Sequence, residues 1–319
     1  MNRPPFRRYC TYFDSAYLAR GIAMLDSLLR HDPAADVLVL PLDPLCGRVL
    51  RHRFAARVRI LEPEALYPAE PRLPALRDRR TTWAFYATQK PAFALLALDF
   101  DPRPDWLMFV DADTWFFDSP DPLFREIGDA SVAVSPHRFP STLQHLEQFG
   151  IYNAGCICWR NDATGRRCLS DWRDDCLNWC DEAPQPDGRF MNQGYLNNWP
   201  ERYPKVRLIA HPGVNLAPWN IDGHTLSREQ GKIAVDGRPI VFYHYHGLLR
   251  DAARQWCSFF PHLERQPEFA RQWIYRPYLA AVEAEARELK QRFGIEGMGT
   301  QRQTAGWIPS VRFERPLSG

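Results

Sequence analysis

No segment of this chain is apolar for long enough to cross a membrane. A membrane helix needs roughly 20 such residues in succession, and no run approaches that. The N-terminus, Met1 to Tyr9, carries Arg and Pro but none of the apolar stretch that a secretory signal requires. The expectation is therefore a cytoplasmic protein with at most peripheral membrane contact. An excess of one charge is also missing, since 40 Lys and Arg stand against 38 Asp and Glu. No bulk field then favours nucleic acid as a partner, and any anionic ligand must be met by local placement. There is no internal repeat and no low-complexity linker. The eight cysteines (Cys10, Cys46, Cys156, Cys158, Cys168, Cys176, Cys180 and Cys257) fit no zinc-ribbon or secreted-scaffold spacing. They read as buried free thiols.

What remains is a chain of globular composition, 319 residues with 45% apolar and 24% charged side chains. That length accommodates one large domain or two modest ones. Arg8–Tyr12 reads as a strand, Ala16–Leu29 as a helix capped by Ser15, and Val37–Leu42 and Val58–Leu61 as further strands. Trp83–Leu98 has helical spacing, and Leu107–Val110 is an apolar strand. This alternation predicts an α/β protein with a mostly parallel, Rossmann-like sheet flanked by helices. Farther on, Ser131–Ser135, Cys156–Trp159 and Ile240–Tyr245 read as strands, and Arg166–Cys180 and Phe190–Trp199 as helices. Pro261–Phe293 is helical and charged, with Val282–Leu289 a solvated amphipathic stretch. The tail from Trp307 to Gly319 mixes aromatic and basic residues, and packing back onto the protein is expected ahead of contact with a membrane surface or a loose tail.

The chemistry concentrates where the 107–110 strand ends. Asp111 and Asp113 stand at i and i+2 of an extended segment, so both carboxylates point the same way while Ala112 faces elsewhere. Hard oxygen ligands in that arrangement suit Mg²⁺ or Mn²⁺, and ligands of parallel sheets collect at the carboxyl ends of strands. Four segments bear on this pair: Thr11-Tyr12-Phe13-Asp14-Ser15-Ala16-Tyr17, Tyr152-Asn153-Ala154-Gly155, Asn192-Gln193-Gly194-Tyr195-Leu196, and His244-Tyr245-His246-Gly247-Leu248-Leu249-Arg250.

In this order the segments resemble the metal-dependent glycosyltransferases of the GT-A fold, of the glycogenin and bacterial lipooligosaccharide galactosyltransferase type. The resemblance spans Tyr9 to Arg250. It implies a GT-A catalytic domain over 1–250, with a nucleotide-binding half (1–113) and a donor-sugar and acceptor half (114–250), followed by a helical extension over 251–319. It also implies a nucleotide-diphosphate sugar as donor, UDP-linked by preference, a saccharide or other hydroxyl acceptor, Mn²⁺ (or Mg²⁺) as cofactor, and retention of configuration. By resemblance, Asp111, Asp113 and His244 hold the metal, with His246 as the rival ligand. Asp14 and Tyr17 match an Asp-x-x-Tyr that takes the base, and Arg250 stands at the Lys position of a His-x-x-Gly-x-x-Lys. The donor set so implied is Thr11, Asp14, Tyr17, Arg80, Lys90, Asp111, Ala112, Asn153, Gly247 and Arg250, with Gln193, Asn192 and Arg250 in the catalytic places.

Two departures stand out. Asn192 replaces the Asp of an Asp-Gln pair, and a carboxamide cannot act as a base. Thr88 occupies the slot of an Arg in the helix leading to the metal strand, which leaves Arg79, Arg80 and Lys90 as candidates for phosphate contact. Trp159, Trp199, Trp219 and the segment His211-Pro212-Gly213-Val214-Asn215 are candidates for acceptor contact, with core packing as the alternative for the tryptophans. A sugar nucleotidyltransferase would want a Gly-rich basic loop after the first strand, and Tyr12-Phe13-Asp14-Ser15 has neither. A UDP-sugar hydrolase using the same ligands and a nucleotide-sugar binding module without turnover are the other readings.

Overall fold

The computed structural model describes residues 5–250, 255–258, 265–296 and 311–313. Two units, each discontinuous in sequence, make up the chain. The first comprises the chain up to Tyr12, Ala34–Asp111 and Leu123–Ala210; the second comprises Phe13–Pro33, Ala112–Pro122 and the chain from His211 onward. The longer helices are α1 (Leu18–His31), α2 (Pro44–Phe54), α3 (Thr82–Asp99), α4 (Ala163–Asn178) and α5 (Arg276–Phe293).

A seven-stranded sheet frames the first unit. Its strands are β1 (Arg7–Phe13), β2 (Asp36–Pro41), β3 (Arg59–Ile60), β4 (Trp106–Val110), β5 (Val132–Pro136), β6 (Tyr152–Arg160) and β7 (Val206–Leu208), in the order β3-β2-β1-β4-β6-β5-β7. The pairs β2–β3, β1–β4 and β5–β7 are parallel, while β6 runs antiparallel to both of its neighbours. The sheet is thus mixed and mostly parallel, as the alternation of elements implied. All five residues of β4 are buried, because a central strand covered on both faces needs an apolar run rather than an alternation. Phe93, Ala97 and Leu98 of α3 pack with Leu107 and Phe109 of β4 and with Ile157 and Trp159 of β6.

Arg8 shows how a charge enters this core. Its side chain is fully buried, yet Nε donates to Asp36 Oδ2 at 2.6 Å and the two terminal nitrogens donate to the carbonyls of Ala97, Phe100 and Pro102. The guanidinium thereby ties β1 and β2 to the C-terminal end of α3, whose last carbonyls lack helical partners. Trp159 and Trp199 also lie fully buried, each ring against Trp172, at 5.7 and 5.5 Å. They are core, not acceptor platforms. All eight cysteines are buried and free, as expected.

The second unit holds α1, α5 and three small sheets. Thr114–Phe116 pairs antiparallel with Phe242–His244. Leu226–Glu229, Lys232–Val235 and Arg238–Pro239 form a meander. Leu248–Arg250, Trp256–Ser258 and Val311–Phe313 make the third sheet. The last of these strands is the described part of the tail expected to pack back; residues 307–310 and 314–319 lie outside the described residues, as do 261–264 of the expected C-terminal helix. Helix α5 is anchored by the buried Tyr278, Leu279, Val282 and Leu289, so the 282–289 stretch is solvated on one face only. At the start of α1 the cap differs from expectation. A 3₁₀ turn (Ser15–Tyr17) comes first, and Asp14 rather than Ser15 caps it by accepting from the Ala16 N–H at 3.1 Å.

Candidate metal and donor site

In the second unit, the register that pairs Thr114 with His244 brings Asp113 beside that histidine, and the Tyr245 N–H extends the ladder to the Asp113 carbonyl at 2.7 Å. Alternation then places His244 and His246 on one side, while Tyr245 turns inward and stacks on Tyr278 at 3.7 Å. One ligand atom each from Asp113, His244 and His246 lies within 4.8 Å of the others. Asp113 and His244 are buried and His246 is exposed.

His244 is held from two directions. Its Nε2 lies 3.1 Å from Asp113 Oδ1, and its Nδ1 lies 3.2 Å from Asn215 Oδ1. An amide oxygen only accepts, so Nδ1 carries the hydrogen and Nε2 is directed at the carboxylate. Asn215 is buried and adopts a left-handed backbone (φ 55). The Trp219 indole lies edge-on to both imidazoles, 5.1 Å from His244 and 5.7 Å from His246. Burial opposes ionisation of Asp113, but His244, His246 and Arg20 together hold its carboxyl well below the usual range. One carboxylate oxygen and two imidazole nitrogens make a fitting donor set for a divalent transition ion.

The second unit carries further expected residues. Ala112 is buried. Gly247 has a positive φ of 70, which lets the chain turn from His246 into the 248–250 strand. Arg250 pairs with Glu283 at 3.3 Å and stacks over Trp256 at 4.6 Å. Tyr17 is half-buried, with the Arg20 guanidinium 5.2 Å from its ring centre. Arg20, itself buried, donates to the Leu248 carbonyl at 2.6 Å. Sequence reasoning passed over Arg20, and it assigned Trp219 and Asn215 to the acceptor side rather than to the neighbourhood of His244. The one local signal was for Arg20, three residues beyond Tyr17.

The first unit carries the others. Lys90 is buried and donates to Asp111 Oδ1 at 2.8 Å and to the Ala154 carbonyl at 3.1 Å, above the Phe109 ring. Thr11 is buried, and its hydroxyl has no hydrogen-bond partner among the described residues. Asn153 accepts from the Gly155 N–H and donates toward His137 and Gln193. Gln193 accepts from the Ala154 N–H at 3.0 Å and donates to the Phe149 carbonyl at 2.8 Å. Asn192 is buried and donates to the Ala87 carbonyl at 2.9 Å, tying its segment to α3. Arg80 donates to the carbonyls of Cys176 and Leu177 at 2.7 and 2.8 Å and to the hydroxyl of Thr88. Its donors serve the end of α4, and Arg79 is exposed.

The fold is that of GT-A glycosyltransferases. The galactosyltransferase LgtC in complex with donor and acceptor sugar analogs superimposes with a TM-score of 0.52 at 14% identity, over 87% of this chain and 95% of that one. An active-site glutamine-to-glutamate variant of LgtC gives 0.54 at the same identity and coverage. No family model matches the sequence. The chain belongs to the family of YfnF, an uncharacterized protein of Bacillus subtilis, with 32% identity over 247 residues that cover 75% of this chain and 80% of YfnF. A second Bacillus subtilis protein, the uncharacterized YfnD, is 24% identical over 289 residues, covering 89% and 91% of the two chains. Among the described residues, no helix is long and apolar enough to cross a membrane.

Proposed function

We propose that the protein transfers a sugar from a nucleotide-diphosphate donor, a UDP-sugar by preference, to a hydroxyl of a saccharide or other acceptor. The observation that carries this reading is the convergence of Asp113, His244 and His246 within 4.8 Å in a chain of GT-A fold. The two imidazoles favour Mn²⁺ over Mg²⁺, which prefers an all-oxygen shell. Such an ion, when bound, supplies Lewis acidity to the leaving diphosphate.

The chain's own groups do the rest in this reading. Asp113 supplies the negative charge of the centre, and in the first unit Lys90 holds Asp111 Oδ1 in place. Tyr17 offers a ring to the base, an interaction worth roughly 1–3 kcal/mol, with Asp14 at the base edge and Ala112 and Gly247 lining the nucleotide. Arg250 meets charge on the departing diphosphate through charge-assisted hydrogen bonds. Asn153 and Gln193 orient the donor sugar. Asn192 cannot take a proton, and carboxylates committed to a metal make poor bases, which fits transfer with retention better than with inversion.

The test measures binding and turnover together. With Mn²⁺ present, the wild type should bind UDP and release it from a UDP-sugar faster when an acceptor is added, and Asp113→Ala should abolish the metal-dependent binding. UDP affinity that is identical with and without Mn²⁺ in both proteins would sink the assignment. Equal consumption of UDP-sugar with and without acceptor would make the protein a hydrolase.

A further inference from the structure

Beyond the residues that the motifs point to, the first unit holds a histidine at the end of β5. His137 is buried, its backbone N–H bonds the Ile151 carbonyl at 3.0 Å, and its ring stacks on Phe139 at 4.7 Å with only 10° between the planes. The stacking sets the plane of the ring. Its Nε2 lies 3.2 Å from Asn153 Nδ2.

The hydrogens on this contact follow from the neighbours. Asn153 Oδ1 is fixed as the acceptor of the Gly155 N–H at 2.9 Å, so the nitrogen of the amide faces His137. An amide nitrogen only donates, so His137 Nε2 accepts and its hydrogen sits on Nδ1. The other amide hydrogen of Asn153 is directed at Gln193 Oε1 at 3.4 Å, and Gln193 Nε2 continues to the Phe149 carbonyl. Gly150 keeps room for this chain of bonds. Its φ is +125, and a Cβ there would meet Gln193 Cγ at 2.9 Å. Without an acceptor at His137, an Asn153 hydrogen is left unmade in a buried setting, or the amide turns over and gives up Gly155.

We infer that His137 is the positioning residue of the donor-sugar subsite, acting through Asn153: it fixes which face of that amide a sugar hydroxyl meets. The inference rests on the proposed transferase reading and extends it to a residue outside the motifs. His137→Leu removes the acceptor, whereas His137→Gln can present Oε1 where Nε2 stood. The experiment is calorimetric titration, in the presence of Mn²⁺, of UDP, UDP-glucose and UDP-galactose into the wild type and both variants.

The expected result is a loss of tenfold or more in His137→Leu for the UDP-hexose that the wild type binds more tightly than UDP. UDP affinity should be unchanged, and His137→Gln should stay within threefold of wild type for both ligands. A purely structural role would move UDP and UDP-hexose together, or would leave His137→Gln as impaired as His137→Leu, and either outcome overturns the inference. If His137→Leu does not fold, His137→Asn takes its place, polar but too short to reach Asn153. A wild type that binds UDP yet gains nothing from either hexose overturns the inference alone; one that binds no UDP with Mn²⁺ overturns the transferase reading with it.

Discussion

His244 should matter more to a bound ion than His246, because two bonds orient it before any ion arrives. Its Nδ1 is engaged by Asn215 and its ring is buried, whereas His246 is exposed. Mn²⁺ titration followed by electron paramagnetic resonance should show a larger rise in Kd for His244→Ala than for His246→Ala. The reverse order would move the main ligand role to His246. By the same logic Asn215→Leu, which touches no ion, should raise the Mn²⁺ Kd by about tenfold or more, the usual consequence of losing a partner that orients a metal-ligating imidazole. An unchanged Kd would mean that Asp113 and Trp219 suffice to hold the ring. The short spacings Asp-x-Asp and His-x-His drew attention to these residues in the sequence, and the structure groups Asp113 with His244 and His246, with Asp113 and His246 in turns just outside the strands. The pairing of Asn215 with His244 was not legible: the two lie 29 residues apart, and Asn215 sits in a turn whose left-handed backbone no local pattern announced.

Among the elements, α4 tests the one basic residue whose two readings compete. Arg80 was a candidate for phosphate contact, and its guanidinium donates to Cys176 and Leu177 carbonyls in the last turn of α4, where helical carbonyls lack partners and carry partial negative charge. Arg80→Met should therefore lower unfolding stability by about 1–2 kcal/mol, from lost charge-assisted bonds, while UDP affinity stays as in the wild type. Weakened UDP binding with no change in the denaturant midpoint would return Arg80 to the phosphate role. Long elements with clear periodicity, such as β4 and α3, were readable to within a residue or two. Helix α2 went unread, since Gly47 and the Arg-rich run from Arg48 blur its apolar stripe, although Val49, Leu50 and Phe54 are buried. The strand Thr114–Phe116 is only three residues long, too short for an alternation to register. The Lys90–Asp111 pair spans 21 positions, and only the packing of α3 against β4 brings it together.

At the scale of the whole molecule, the division into units could not be read from composition, since each unit gathers three separate stretches of sequence and no linker marks the crossings. Global stability nevertheless has an identifiable pH-sensitive contribution. Glu70 is buried and accepts from Arg72 Nε at 2.7 Å and Nη2 at 2.9 Å, with Arg173 of α4 at 3.4 Å; Arg72 also reaches Asp174 at 2.7 Å. The Arg72 hydrogen bonds outweigh burial and hold the Glu70 carboxyl below its ordinary 4.5. A depressed folded-state value means that the unfolded chain takes up the proton first as pH falls, so the contribution is complete above that ordinary value and is lost on descending through the folded one. Denaturant unfolding of the wild type and Glu70→Gln across a pH series isolates it, because Asp174, where burial is outweighed by Arg173 and Arg72 so that its carboxyl is also held low, is present in both proteins. The stability gap should be about 1–2 kcal/mol at neutral pH, stay flat down to about pH 5, and close below that as the wild-type carboxyl is protonated. A gap that stays constant to about pH 3 would show that Glu70 acts through packing, and that the link between the 70–72 segment and α4 does not depend on its charge.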